Sequence, residues 1–140
     1  MDVKTTFQNG VIEEVYVEQP QGFETRDCQS HVCRLNKALY GLKQAPRTWY
    51  ERIDNFLMSL NFIKSKADSN LYYKIEDNDQ VIFLLYVDDL FLTGSEKLIT
   101  NCKIQLTSEF EMKDLGQMHH FLGLEVWQNS DEICLSQGKC

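Results

Sequence analysis

Apolar residues recur at helical spacing in two stretches of the chain. The first follows Pro46, a residue suited to the first turn of a helix, and ends near Asn61. Its apolar positions fall at i, i+4, i+7, i+8 and i+11: Trp49, Ile53, Phe56, Leu57 and Leu60. The second opens with Ser95 as the expected N-cap and places on one face Leu98, Ile99, Cys102 and Leu106. Each stretch predicts an amphipathic helix.

Shorter stretches of alternating or continuous apolar residues predict strands, separated by polar turns at 76–79 and 87–89. The predicted strands are 2–7, which we expect to be cut short at its start, 14–17, 31–35, 71–75, 81–86, 90–93, 121–127 and 133–136. In chain order the core elements read β-α-β-β-α-β, with the 87–89 turn between the two middle strands. This is the split βαβ pattern of an α+β protein, an antiparallel sheet with both helices packed on one face.

The composition is that of one globular domain spanning residues 1–140. Hydrophobic residues make up 43% and charged residues 25% of the chain, which excludes a disordered protein. No apolar run approaches the roughly 20 residues that span a bilayer, and residues 1–4 lack the pattern of a signal peptide. We therefore expect a soluble protein of the cytoplasm that has no membrane partner.

The cysteines do not indicate a disulfide framework. There are five of them, an odd number, and none forms a CxxC pair. Cys28, His31 and Cys33 are close enough in sequence to suggest a metal site, but a second ligand pair at a zinc-like spacing is missing. Reduced, mostly structural thiols are the interpretation that we favour.

The charge is unevenly distributed along the chain. The formal net charge of −7 argues against a protein that binds nucleic acid over its whole surface. Residues 26–52, however, contain six basic and two acidic residues, a net of +4, so the remainder carries −11. A basic segment beside acidic surroundings fits a site that holds both phosphates and metal ions. A solvated, basic helix face is the alternative.

The aspartates of the 87–89 turn are the main candidates for chemistry. Asp88 and Asp89 stand between apolar strands, where carboxylates are unfavourable unless they are paired, solvated or bound to metal. A solvated acidic turn is one explanation. In a β-α-β-β arrangement the first strand packs beside this hairpin, so Asp2 could approach the same point. Three converging carboxylates suit Mg²⁺, and two such ions support in-line phosphoryl displacement.

Five segments resemble the reverse transcriptases of copia-type LTR retrotransposons, in order and over essentially the whole chain. They are residues 1–10 (MDVKTTFQNG), 18–23 (EQPQGF), 37–47 (KALYGLKQAPR), 86–89 (YVDD) and 121–126 (FLGLEV). The resemblance implies the palm core of an RNA-directed DNA polymerase, a nucleotidyltransferase that uses an RNA or DNA template, a DNA or RNA primer and deoxynucleoside triphosphates. Departures from the usual residues of the family occur at Thr6, Gln8, His120 and Cys140.

The resemblance also implies roles for individual residues. Asp2, Asp88 and Asp89 match the catalytic triad, which binds two Mg²⁺ ions, with Mn²⁺ as a substitute. Phe7 matches the bulky residue that disfavours a 2′-hydroxyl on the incoming sugar; a core aromatic is the alternative. Contacts to template and nucleotide are implied for Gly41, Lys43 and Arg47, where a turn and solvated cations are the alternatives. The hairpin that grips the primer end matches Phe121, Leu122 and Gly123, where an ordinary edge strand is the alternative.

A complete polymerase of this family has fingers upstream and a thumb downstream, and we expect the chain to lack both. Positioning supplies much of the rate in phosphoryl transfer, so the missing parts, or another chain that supplies them, would be required for activity. The competing hypotheses are an inactive retrotransposon fragment that binds nucleic acid weakly through residues 26–52, and an acidic metal-binding or interaction module.

Overall fold

The computed structural model of the protein describes residues 1–23, 31–130 and 132–137. Within these residues the helices are α1 (Ala45–Ser59) and α2 (Glu96–Glu109), and a 3-10 turn covers Thr6–Asn9. The strands of the described residues are β1 (Asp2–Val3), β2 (Val11–Val17), β3 (Cys33–Lys37), β4 (Ile63–Lys64), β5 (Leu71–Glu76), β6 (Asp79–Tyr86), β7 (Asp89–Gly94), β8 (Met112–Lys113), β9 (His120–Phe121), β10 (Leu124–Gln128) and β11 (Ile133–Ser136).

The first predicted helix, α1, turns its apolar stripe toward the core. Trp49, Ile53 and Leu57 are buried, and the remaining two residues of the stripe pack against the same core. Pro46 lies in the first turn of the helix, as its fixed φ allows. The chain leaves the helix through Asn61, whose φ of 64° lies in the left-handed region that asparagine tolerates. The prediction from the sequence is confirmed.

The second helix, α2, also has the predicted face. Leu98, Cys102 and Leu106 are buried, and Ile99 packs against them at the edge of the core. Ser95 occupies the N-cap position with an extended backbone, but its side chain makes no capping hydrogen bond. The start of the helix was therefore predicted correctly, although the bond that makes serine a favoured cap is missing.

A six-stranded antiparallel sheet in the order β4-β5-β6-β7-β1-β8 forms the centre of the fold. The path β1-α1-β6-β7-α2-β8 through it has the predicted β-α-β-β-α-β order, but its last strand is β8 and not the predicted strand at 121–127, which lies in a separate sheet. On β6 the alternate residues Val81, Phe83 and Leu85 are buried in one core with the apolar stripes of both helices. Both helices therefore cover the same face of the sheet, and the α+β prediction is confirmed.

Tight turns set the register of the central hairpins. β5 and β6 meet through Asp77 and Asn78, with φ values of 49° and 72°, in a two-residue turn within the polar stretch 76–79 that predicts it.

At the end of β7, Gly94 has a φ of 132°, and a Cβ there would lie 2.1 Å from the carbonyl oxygen of Gln80. Position 94 consequently requires glycine.

Two predicted strands are wrong. The stretch 2–7 is a strand only over Asp2–Val3, because Thr6–Asn9 form a 3-10 turn. The stretch 121–127 is not continuous, because β9 ends at Phe121 and β10 begins at Leu124. Between them, Leu122 (φ 49°) and Gly123 (φ 79°) form a two-residue turn with the positive φ angles of a hairpin loop. Leucine is an unusual residue at such a position, so the sequence marks the turn only by Gly123.

The remaining strands form two smaller sheets. β9, β10 and β11 pair in the order β11-β10-β9, and β2 pairs with β3. The predicted strand at 31–35 begins at Cys33, and its partner β2 has an irregular register around Glu14, whose φ is 51°. Neither α1 nor α2 is long and apolar enough to cross a membrane, and no other helix of the described residues is either.

Candidate active site

The β6–β7 hairpin places two aspartates at one end of the central sheet. Tyr86 pairs with Asp89, so Val87 and Asp88 form a two-residue loop between the strands. Val87 has a φ of 55°, a conformation that a β-branched residue rarely adopts. The two aspartates are half-buried. The turn therefore brings both carboxylates to the edge of an otherwise apolar hairpin, as the sequence predicts.

Asp2 of β1 lies directly opposite Asp89 of β7. The backbone hydrogen bonds on either side of this pair join its neighbours: Leu90 N–H donates to the Met1 carbonyl at 2.8 Å, and Val3 N–H donates to the Asp88 carbonyl at 3.0 Å. Asp2 and Asp89 do not exchange backbone hydrogen bonds with each other. They thus form a non-hydrogen-bonded pair, in which the two Cα atoms are about 4.5 Å apart and the side chains are closest. Two of the three predicted catalytic residues, Asp2 and Asp89, are neighbours across the sheet. The third, Asp88, lies in the loop immediately before β7.

The carboxylates project away from the hydrophobic core. Val3 and Leu90, the neighbours of the pair along β1 and β7, are buried in the core. Because successive side chains of a strand point to opposite faces, Asp2 and Asp89 lie on the face that the helices leave uncovered. The polar site and the apolar core therefore occupy opposite faces of the same strands.

The carboxylates of Asp2, Asp88 and Asp89 are close enough for their negative charges to affect one another. Burial, then the charge of Asp88 and then that of Asp2 raise the pKa of Asp89, and the amino group of Met1 partly opposes the shift. That amino group donates a hydrogen bond of 2.8 Å to the Leu90 carbonyl. Like charges directly opposed across a sheet are destabilising. The arrangement favours a cation between the carboxylates.

The donor set fits a divalent metal in its chemistry, because carboxylate oxygens are the ligands that Mg²⁺ prefers. Among the described residues, no three His, Cys, Asp or Glu side chains are gathered closely enough to hold an ion. Asp2, Asp88 and Asp89 lie at one end of the β6–β7 hairpin, and their convergence on a metal is part of the proposal below.

Lys113 is a neighbour of the site that the sequence did not identify. β1 lies between β7 and β8, so Asp2 faces Asp89 on one side and Lys113 on the other. Lys113 is exposed. A fixed positive charge beside the carboxylates is suited to contact a phosphate. Its position depends on pairing between strands far apart in sequence, so no local pattern could have predicted it.

Phe7 lies close to the aspartate turn. It sits in the 3-10 turn Thr6–Asn9, half-buried, and meets Tyr40 edge-on with ring centroids 4.7 Å apart. A cavity of about 240 Å³ opens between this ring, α1 and the turn, and its lining includes Phe7, Trp49, Leu85 and Val87. Phe7 thus shares a cavity with Val87 of the aspartate turn, and it also packs against the hydrophobic core, so its role in sugar selection stays a prediction.

The predicted nucleotide contacts of the 37–47 segment are only partly available. Gly41 has a φ of 92° in a turn, and the space that a side chain would occupy there is open. Lys43 is exposed. Arg47 is also exposed, but its Nε donates to Glu51 one helical turn later at 2.9 Å. A phosphate would have to compete with this surface ion pair, which contributes little stability.

The β9–β10 hairpin packs on the face of the sheet that carries the carboxylates. Phe121 meets Phe91 of β7 edge-on at a centroid distance of 4.5 Å and Tyr86 of β6 at 5.3 Å. Tyr86 is the residue that pairs with Asp89. The exposed turn of Leu122 and Gly123 is thereby anchored near the aspartates, in agreement with a hairpin rather than an edge strand.

Two other predictions involve residues that the structure does not describe. Cys28, one of the three residues of the possible zinc site, and Arg26 of the basic segment lie outside the described ranges. Of the remaining basic residues of that segment, Arg52 forms an ion pair with Glu109 of α2. Part of the positive charge thus stabilises contacts within the protein.

Comparison with known proteins gives a consistent result. The family model described as reverse transcriptase (RNA-dependent DNA polymerase) matches residues 1–139. The chain is 45% identical to the retrovirus-related Pol polyprotein from transposon TNT 1-94 of Nicotiana tabacum, over 99% of the chain and 11% of the polyprotein. It is 40% and 37% identical to those from transposons RE1 and RE2 of Arabidopsis thaliana, over 98% of the chain and 10% of each.

The chain therefore spans about a tenth of the length of these polyproteins. Their copia type confirms the resemblance noted in the sequence. No solved structure matches the chain.

Proposed function

The chain belongs to the reverse transcriptase family, and we propose that it forms the palm core of a copia-type RNA-directed DNA polymerase. The observation that carries the proposal is the pairing of Asp2 with Asp89 beside the Asp88 turn, on the face of the sheet opposite the core. Without a bound cation, carboxylates opposed in this way destabilise the protein. With a cation bound between them, they serve as ligands.

In this proposal Asp2, Asp88 and Asp89 hold two Mg²⁺ ions, which Mn²⁺ can replace. Bound there, the ions stabilise negative charge on the attacking and leaving oxygens of an in-line displacement. The reaction is attack of a primer 3′-hydroxyl on the α-phosphorus of a deoxynucleoside triphosphate, with release of pyrophosphate. The side chains of the protein position these reactants, and positioning supplies much of the rate of phosphoryl transfer.

The nucleotide is expected at the cavity beside Phe7. The ring of this residue, held edge-on by Tyr40, would meet the 2′ position of the incoming sugar and disfavour a ribonucleotide. Gly41 would allow the backbone to approach template or nucleotide closely. Lys43 and Arg47 are the proposed phosphate contacts, with Arg47 exchanging Glu51 for a phosphate oxygen, to which guanidinium binds well.

The primer end is expected at the β9–β10 turn. Phe121 fixes this hairpin on Phe91 and Tyr86, and we expect the exposed Leu122 and Gly123 to reach toward the carboxylates from there. Glycine at the tip permits a close approach of the nucleic-acid backbone. Ring contacts join this hairpin of the smaller sheet to the central sheet, which suits a part that has to hold a reacting 3′-hydroxyl.

The test is magnesium-dependent extension of a DNA primer on an RNA template by the 140-residue chain, first shown to be folded. Extension by the wild type would show catalysis without fingers and thumb, and it should fall at least a hundredfold in Asp88→Asn, because a metal ligand is removed. Glu13→Gln, which neutralises an exposed carboxylate on β2, is the matched control. A folded wild type that extends no primer would contradict catalysis by this chain alone and would favour the inactive-fragment hypothesis.

A further inference from the structure

The turn that carries Asp88 is held by hydrogen bonds from two other elements. Val3 of β1 donates its N–H to the carbonyl of Asp88 at 3.0 Å. Trp49 of α1 donates its indole Nε1–H to the carbonyl of Val87 at 2.8 Å. Trp49 itself is only 2% exposed, so its ring has little freedom to move. Both carbonyls of the two-residue loop are thus fixed by residues outside the hairpin.

The bond from Trp49 acts at the strained position of the loop. Val87 has a φ of 55°, which costs free energy for a β-branched residue and persists only where the surroundings enforce it. The side chain of Val87 is 53% exposed, so packing does not hold it there. A hydrogen bond to the Val87 carbonyl fixes the plane of the peptide bond that joins Val87 to Asp88. It therefore controls the direction in which Asp88 leaves the loop.

We propose that Trp49 is a positioning residue for the carboxylate site. Its indole N–H keeps the Val87–Asp88 peptide in the orientation that directs Asp88 toward Asp2 and Asp89. The inference deepens the function proposed above and rests on it, since it assumes that the three carboxylates bind a divalent cation. Without the indole bond, Val87 relaxes toward a negative φ and Asp88 turns away from the other two carboxylates.

A purely structural role for Trp49 makes different predictions. The ring also packs edge-on against Phe110 with a centroid distance of 5.4 Å, within the core shared by both helices. If Trp49 only filled the core, its substitution would change the stability of the protein and not the affinity for metal. Phenylalanine would then fill much of the space of its ring. Trp49→Phe keeps an aromatic ring but removes the N–H, so it separates the two roles.

The experiment compares Trp49→Phe, Val87→Gly and the double variant with the wild type. Mn²⁺ affinity is measured on folded protein from the relaxation of water protons, and Asp88→Asn defines binding at the carboxylate site. Trp49→Phe should weaken Mn²⁺ binding by about 2- to 10-fold, the effect of one lost hydrogen bond. Adding Val87→Gly should restore most of the affinity, because glycine adopts a positive φ without strain. Trp127→Phe, at a tryptophan that is 64% exposed, should leave affinity unchanged.

Hydrogen exchange of the indole protons tests the same bond in the wild type alone, should Trp49→Phe fail to fold. We expect slow exchange at Trp49 and fast exchange at Trp127. Fast exchange at Trp49, an unchanged Mn²⁺ affinity in Trp49→Phe, or a loss that Val87→Gly does not restore would each overturn the positioning role. A wild type that lacks Mn²⁺ binding dependent on Asp88 would instead overturn the proposed metal site, so the two failures are distinguishable.

Discussion

Asp54 of α1 shows how single polar residues connect the elements of this fold. It accepts hydrogen bonds from the Tyr72 hydroxyl at 2.6 Å and from Lys64 Nζ at 2.8 Å, and so joins α1 to β5 and β4. Burial alone would raise the pKa of Asp54, but the bonds from Lys64 and Tyr72 together hold it below its ordinary value. A lowered folded-state pKa means stability that is present above the ordinary pKa and lost as the pH falls through the lowered one.

Asp54→Asn should therefore lower the free energy of unfolding at pH 7 by about 1–3 kcal/mol, the effect of losing hydrogen bonds to a charged group. The difference from the wild type should shrink below about pH 4, because Asp54 of the unfolded wild-type chain then takes up a proton that the folded protein, with its lowered pKa, does not. Denaturant unfolding at pH 7 and pH 3 measures both, with Glu13→Gln as the control for loss of an exposed charge. An equal difference at the two pH values would contradict the role assigned to this carboxylate.

The residues of the candidate site differ in how far the sequence identifies them. Asp88 and Asp89 stand out because carboxylates between apolar strands demand an explanation. Trp49 does not, since its place in an apolar stripe predicts a core residue and conceals the hydrogen bond to the loop. Thr6, a departure from the family, is fully buried, and its hydroxyl donates to the Val3 carbonyl at 2.8 Å. Such partners depend on tertiary structure and have no local signal.

Among the elements, those with a strong local pattern were predicted best. The apolar periodicity of α1 and the polar turn between β5 and β6 are both confirmed. The strand expected at 121–127 failed because Gly123 is the only turn-favouring residue of the turn, and Leu122 beside it is apolar. The two-residue strand β1 lies between β7 and β8; its place beside the Asp88 hairpin was predicted from the β-α-β-β order, but its pairing with β8 was not. There, pairing with β7 and β8 takes precedence over local preference.

The β9–β10 hairpin should depend on Phe121 for its attachment. Phe121→Ala removes two edge-on aromatic contacts, each contributing about 0.5–1.5 kcal/mol beyond the area buried. We expect amide hydrogen exchange of β9, β10 and β11 to accelerate by about tenfold or more, while β5 and β6 stay protected, because the hairpin opens locally.

The matched control is Leu122→Ala, which truncates an exposed side chain of the same hairpin. It should leave exchange of the three strands near the wild-type rate. Acceleration in both variants alike would mean that the hairpin is generally unstable and that stacking on Tyr86 and Phe91 does not hold it.

On the scale of the whole molecule, the central sheet has the hydrophobic core on one face and the candidate site on the other. One face carries both helices and the hydrophobic core, and the other carries Asp2, Asp89 and the rings that anchor the β9–β10 hairpin. The carboxylate pair is a source of instability in a chain whose net charge is already −7. The proposed binding of a cation at these carboxylates would offset that cost.

The most direct test of this account is a thermal melt of the wild type and of Asp89→Asn, without divalent cations and in saturating Mg²⁺. Without the ion the variant should melt higher, because removing one of two opposed charges relieves a repulsion of about 0.2–1 kcal/mol. With Mg²⁺ at a hundred times its dissociation constant, only the wild type should gain about 2.7 kcal/mol, and the order should reverse. A variant that melts lower in both conditions, or an equal gain for both proteins, would contradict a metal site built on Asp2 and Asp89.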